Sequence, residues 1–215
     1  MCQTATVGTS TSARTSTTRT ARSRRTRAAL VAGVRAELAT SGTFTAAAVA
    51  TRAGCSPATF YSHFGTKDDA LTAAFEQTLS ELVDRSIRDL DPARLRADGI
   101  DTTVAHFVEE QARFFRTETL VFRAALSRLP HHRPIRDVYR DAERRTLDHL
   151  VVAFRDLIAG GRIAGTDPID LATAFMVASQ GINNPRALAP GAAAVRSSLA
   201  RGLSAILAGD GGTDD

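Results

Sequence analysis

TAAAVATRAGCSPATFYSHFGTK, residues 45 to 67, reads as two short helices around a glycine turn. Thr45 is a strong N-cap for the first, which turns Val49 and Ala50 inward and Arg52 outward. Gly54 supplies the turn, because glycine enters the left-handed region at little cost. Ser56 caps the second helix, and Pro57 takes its first position, where a missing N–H is no loss. Phe60 and Phe64 lie four apart on one face and can pack on the first helix. Ala58, Thr59, Tyr61, Ser62 and His63 are left for the outer face. A polar second helix beyond a tight turn suits the major groove of DNA.

The run AGCSPATFYSHFGTKDDAL, Ala53 to Leu71, resembles the signature of the tetracycline-repressor (TetR) family of bacterial regulators. Ala53, Gly54, Ser56, Thr59, Phe60, Tyr61, His63, Phe64, Thr66, Lys67, Asp68 and Leu71 match the family pattern. Cys55 stands where valine is usual, and Ala58 where glycine is common. The match continues past the second helix to Lys67, at the start of the next one, which a chance helix-turn-helix would not do. The resemblance implies an all-α homodimer with an N-terminal three-helix DNA-binding domain. A C-terminal helical bundle would hold an effector and the dimer interface.

Charge is unevenly placed. Residues 1 to 36 carry Arg14, Arg19, Arg22, Arg24, Arg25, Arg27 and Arg35 and no acid, whereas the rest has 20 basic against 23 acidic residues. A basic end on a mildly acidic body is expected where only that end meets phosphates. The first 25 residues have only Val7 among large aliphatics, too few for a secretory core or an amphipathic transit helix. Residues 1 to 22 therefore read as a disordered basic arm that touches the DNA backbone, reads a minor groove or stays solvated. No apolar run approaches the roughly 20 residues of a membrane span, so no membrane partner and a cytoplasmic location are expected. Cys2 and Cys55 are too few for a disulfide framework or a zinc site, and no metal or cofactor is expected.

Helical periodicity organises the remainder. A first helix over 23–40 has Leu30, Val31, Val34 and Leu38 on one stripe, which places the DNA-binding domain at 23–70. Thr66 and Asp69 make a variant capping box for a long helix that runs to about Ile87. In the resembling family this helix joins the two domains. Asp91-Pro92 breaks the pattern and reads as a domain boundary in the chain, within a ligand-binding and dimerisation region expected over 71–209. Helices are then expected over 104–115, 120–129, 135–158, 168–182 and 192–208, with a disordered tail at 210–215.

Phe107, Phe115, Phe122, Phe154, Phe175 and Met176, with Gln111, form a set that can be ordinary core or the lining of a small apolar cavity. His106, Arg123, His149 and Gln180 are further polar candidates. By resemblance the last two helices pair between subunits, and Ala172, Ala174, Ala178, Gly181, Ala200 and Gly202 would permit close approach. Two recognition helices in a two-fold dimer require a near-palindromic operator. Thr45, Tyr61 and Lys67 are assigned to phosphates, and Ser56, Pro57, Ala58, Thr59, Ser62 and His63 to base edges.

The expected function is a ligand-released repressor that binds double-stranded DNA, its effector a small apolar or aromatic molecule. A helical enzyme is the first alternative, but no P-loop, HExxH or nucleophile elbow supplies a catalytic set. A ligand-independent interaction module is the second.

Overall fold

The computed structural model describes residues 10–163 and 167–208, with side chains from residue 20 onward. The described residues are helical, with no strand, and fall into two compact units, Met1–Ala74 and Phe75–Asp215. The expected tail at 210–215 and the first nine residues of the expected arm lie outside the described residues.

In the first unit, α1 spans Ser10–Ser41, α2 Ala46–Arg52 and α3 Pro57–His63, and α4 begins at Lys67. Helix α1 starts at Ser10 rather than 23, so the disordered reading of the arm does not hold for its second half. No glycine or proline interrupts residues 10 to 32, and the arginines and alanines among them are good helix formers. Leu30, Val31, Val34 and Leu38 are at most 4% exposed and form the buried stripe of α1. Val49 and Ala50 of α2, Phe60 of α3, Phe64, Ala70, Leu71 and Ala74 complete this core. Helices α1 and α2 approach closely at Gly33, where a Cβ would lie 3.2 Å from Val49 Cγ1 and 3.3 Å from the Val49 carbonyl.

Helix α4 runs on to Asp89, and the division between units falls within it rather than at residue 70 or at Asp91-Pro92. Asp91-Pro92 is instead a local break: Asp91 Oδ1 accepts the Ala93 N–H at 2.7 Å and starts α5, Pro92–Ala97. Helix α6 covers Ile100–Leu126 as one element, where two were expected. Thr117 and Thr119 donate their hydroxyls to the carbonyls of Arg113 and Phe115, so these residues sit within the helix instead of breaking it.

Helix α7, Arg133–Ala159, stops at a glycine turn in which Gly161 N–H reaches Ile158 O and Arg162 N–H reaches Leu157 O. Asp167 caps α8, Pro168–Ser179, and a 3-10 turn over Gln180–Asn183 replaces the last turn expected of that helix. The short α9, Pro185–Leu188, precedes α10, Ala193–Ala208. Leu90, Val104, Phe107, Val108, Leu150, Phe154, Leu157, Phe175, Leu203 and Leu207 form the core of the second unit, drawn from the residue after α4 and from α6, α7, α8 and α10. No helix among the described residues is long and apolar enough to cross a membrane.

Candidate nucleic-acid interface and effector cavity

The reading head is built by hydrogen bonds between residues three to five apart. Thr45 Oγ1 accepts the Ala48 N–H at 3.1 Å and fixes the start of α2. At its end Gly54 has φ of +66°, its N–H donates to Thr51 O at 3.1 Å, and Cys55 N–H donates to Ala50 O at 2.9 Å. These two bonds form a Schellman turn and set the direction in which α3 leaves. Ser56 Oγ then accepts the Thr59 N–H at 3.2 Å, with Pro57 at the first helical position. Thr66 N–H donates to Asp69 Oδ2 at 2.9 Å and Asp69 N–H to Thr66 Oγ1 at 3.1 Å, a reciprocal box that starts α4.

Phe60 is wholly buried and Phe64 is 2% exposed, their rings 5.5 Å apart, so one face of α3 is anchored. The other face presents Ser56, Pro57, Ala58, Tyr61 and Ser62, with Thr59 and His63 half-buried at its edge. Tyr61 is 53% exposed, braced edge-on against Phe60 at 5.2 Å. Ser62 donates its hydroxyl to Thr59 O at 2.7 Å, and the hydroxyls of Ser56 and Thr59 lie 3.0 Å apart. Those three hydroxyls are thus oriented by the helix itself. Lys67 is exposed, its Nζ held 5.0 Å from the centre of the Phe44 ring. Ser56 to Lys67 contains no acid, and the nearby Arg52 is paired with Glu37 at 2.8 Å. Such a face accepts phosphate without like-charge repulsion.

In the second unit a cavity of about 210 Å³ opens between helices α4, α6, α7 and α8. Phe107, Gln111, Phe115, Phe122, Phe175 and Met176 line it, and Gln180 contributes a polar edge. Phe154 does not line it. That ring is fully buried and packs edge-on against Phe175 at 5.5 Å, so it backs the wall. Gln111 Nε2 donates to Ser86 Oγ at 2.9 Å, and Ser86 passes a hydrogen bond to Leu82 O at 2.9 Å. The Tyr139 phenol is pushed up from its ordinary value by burial first, then by the charge and hydrogen bond of Glu143. His106, Arg123 and His149 are not in the lining. His106 is exposed beside Asp89 at 3.7 Å. His149 Nε2 is buried without a partner; burial lowers its pKa, and the Asp91 carboxylate pulls the other way.

Residues 42–74 match the family described as bacterial regulatory proteins, tetR family. The matched residues take in α2, α3 and the first turns of α4, the capped helix-turn-helix described above. Fold comparison agrees along most of the length. A protein from Mesorhizobium loti described as a tetR-family transcriptional regulator is similar with a TM-score of 0.69 and 18% identity, over 85% of this chain and 95% of that one. A tetR-family regulator from Rhodococcus sp. aligns with a TM-score of 0.63 and 19% identity, over 86% and 99% of the two chains. A transcriptional regulator from Saccharomonospora viridis in complex with choline gives 0.59 and 20%, over 86% and 94%. No curated protein matches.

The match over α2 to α4 favours a DNA-binding regulator over the helical-enzyme alternative. Within the reading head, sequence reasoning overlooked Phe44, Gly33 and Arg27. Phe44 is 8% exposed and precedes the Thr45 cap, with buried Val49 four residues into α2, the spacing of a hydrophobic staple. An aromatic directly before a cap was the available signal. Arg27 lies 4.7 Å over the Phe64 ring, so one arginine of the basic end is held against the head. No local pattern announces that contact. Two of the six small residues assigned to a subunit interface, Ala172 and Ala200, are instead buried within the chain, at 0% and 7% exposure. Ala174 and Gly202 remain on the surface.

Proposed function

We propose that this regulator is a cytoplasmic homodimer that binds a near-palindromic operator and is released by a small molecule held in its second unit. The observation that carries the DNA-binding half is the outward face of α3, free of acids and rigidly capped at Ser56, with Tyr61 presented between two buried phenylalanines. In this reading Thr45, Tyr61 and Lys67 position the head on phosphates, and Ser56, Pro57, Ala58, Thr59, Ser62 and His63 meet base edges. Arg22, Arg24 and Arg25 are exposed on α1 and supply further phosphate contacts.

Exposed apolar side chains on α8 and α10 support dimerisation through those helices. Ile169, Val177 and Val195 are 54%, 58% and 44% exposed, which is costly unless a second copy covers them. Two heads would then sit roughly 34–36 Å or somewhat more apart. The cavity supports an effector site, and a regulator of similar fold that holds choline supports the same use of the second unit. Helix α4 offers the link: it begins with Lys67 in the reading head, and Leu79, Leu82, Val83 and Ser86 farther along it line the cavity. For release, the effector must favour the conformation that binds DNA less well, typically by 1–3 kcal/mol of coupling.

Footprinting over the DNA upstream of the chain's own gene tests the first half. A protected, two-fold symmetric site is expected, and binding with no sequence preference at physiological salt would overturn it. Titrating cavity-sized ligands into that complex tests the second. Ligands that bind tightly yet leave operator affinity unchanged would leave a constitutive DNA-binding protein.

A further inference from the structure

The lining of the cavity is aromatic and carries one formal charge. Phe107, Phe115, Phe122 and Phe175 present rings to it, Tyr139 adds a fifth, and Glu143 is the single charged residue among its described lining. Glu143 takes a hydrogen bond from Tyr139 within the same helix. Of the neighbouring arginines of α7, Arg144 is paired with Asp141 and Arg145 with Asp84 at 3.6 Å. No described basic side chain forms an ion pair with Glu143 or lines the cavity.

Glu143 is half-buried at the edge of this apolar space, with the Tyr139 phenol beside it. A cation placed there meets its carboxylate, and is attracted also to the negative faces of the surrounding rings. A carboxylate or phosphate ligand would be repelled by Glu143 and would find no cationic partner in the described lining, only neutral donors such as Gln180 and Asn183. A neutral hydrocarbon would fill the space and leave Glu143 as it was. The volume, about 210 Å³, restricts the occupant to a compact molecule.

We propose that the cavity selects small lipophilic cations, amines or quaternary ammonium compounds that carry an apolar or aromatic group, with Glu143 as counter-ion and the phenylalanine rings as the cation's apolar cage. This deepens the effector reading above and rests on it. It also narrows the expected effector from any apolar or aromatic molecule to a positively charged one.

Three probes of similar size separate charge from shape: benzyltrimethylammonium, its neutral carbon isostere neopentylbenzene, and phenylacetate. Calorimetry on the full chain should give a dissociation constant at least about tenfold lower for the cation than for the isostere, and no measurable binding of the anion. Glu143→Gln, which keeps the shape and a hydrogen-bond acceptor for Tyr139, should remove most of that preference. Its fold is checked by an unchanged helical signal and melting temperature, and the wild-type comparison stands without the variant. Equal or tighter binding of the isostere, preferred binding of phenylacetate, no binding of any probe, or a preference that survives in Glu143→Gln would each overturn the proposal. Operator affinity read alongside keeps the two readings apart. An isostere that binds as well as the cation and releases DNA defeats only the cation preference. A preferred cation that leaves DNA binding unaltered supports that preference and defeats only the effector role.

Discussion

The reading head and the effector unit use the same residue types for opposite ends. In the head, phenylalanines fill space: Phe60 and Phe64 are at most 2% exposed, their rings 5.5 Å apart beneath α3. In the second unit, Phe107, Phe115, Phe122 and Phe175 surround a space and leave it open. The head needs a rigid face, because hydrogen bonds to base edges tolerate little displacement. On the proposed function, the second unit needs adaptable walls and an unfilled interior, which cost stability and are kept where a ligand can restore it. Packing quality in this chain therefore follows the task of each region.

The largest effect expected from this contrast is in the head. Phe60→Ala removes a wholly buried ring and should cost about 3–5 kcal/mol of stability, with loss of operator binding. Chemical denaturation followed by helical signal reads the first, and gel shift the second. Phe115→Ala, at a half-buried cavity wall, should cost markedly less. Equal costs at the two positions would mean that the cavity wall is as tightly committed as the head, and would break the comparison.

A smaller effect separates recognition from folding. Tyr61→Ala removes an exposed phenol and should weaken operator binding by about 1–3 kcal/mol while melting temperature and dimer mass stay unchanged. Unchanged affinity would remove Tyr61 from the interface and shift the burden to Lys67 and the first turn of α3.

The smallest effect sharpens the picture of the second unit. His149 is held neutral by burial, so its folded pKa lies below its ordinary value of 6.5. Its contribution to stability is complete above that value and is lost as pH falls from about 6.5 through the lower folded pKa, because the unfolded chain takes up the proton first. His149→Gln should flatten the fall of melting temperature with pH below about 6.5, measured against wild type in the same buffers. Parallel curves for the two proteins would show that His149 exchanges its proton freely in the fold.

Much of the head was legible because its determinants are short-range. Thr45, Gly54, Ser56-Pro57 and Thr66–Asp69 act within five residues of themselves, so a reader of the chain sees the donor and acceptor together. Helix stripes were equally plain, and the break at Gly160-Gly161 fell where expected. Limits were less plain. The start of α1 and the continuity of α6 depend on weak propensities of threonine and serine, which context overrides in either direction.

The cavity was legible only as a set of residues. Six of seven expected members line it, but Phe154 faces the core, and Tyr139 and Glu143, the second of which gives the site its charge, were not anticipated. Periodicity assigns a side chain to a helix face and is silent on what the face meets. By itself the sequence determined the helical class, the capped helix-turn-helix and the chemistry offered on α3, since each follows from hydrogen bonds and apolar spacing within a turn or two. Tertiary structure alone decided which phenylalanines bound an empty volume, which alanines vanished into the core, and that Glu143 joins aromatic rings in one cavity lining. Those outcomes depend on distances between helices far apart in the chain, and no local rule sets them.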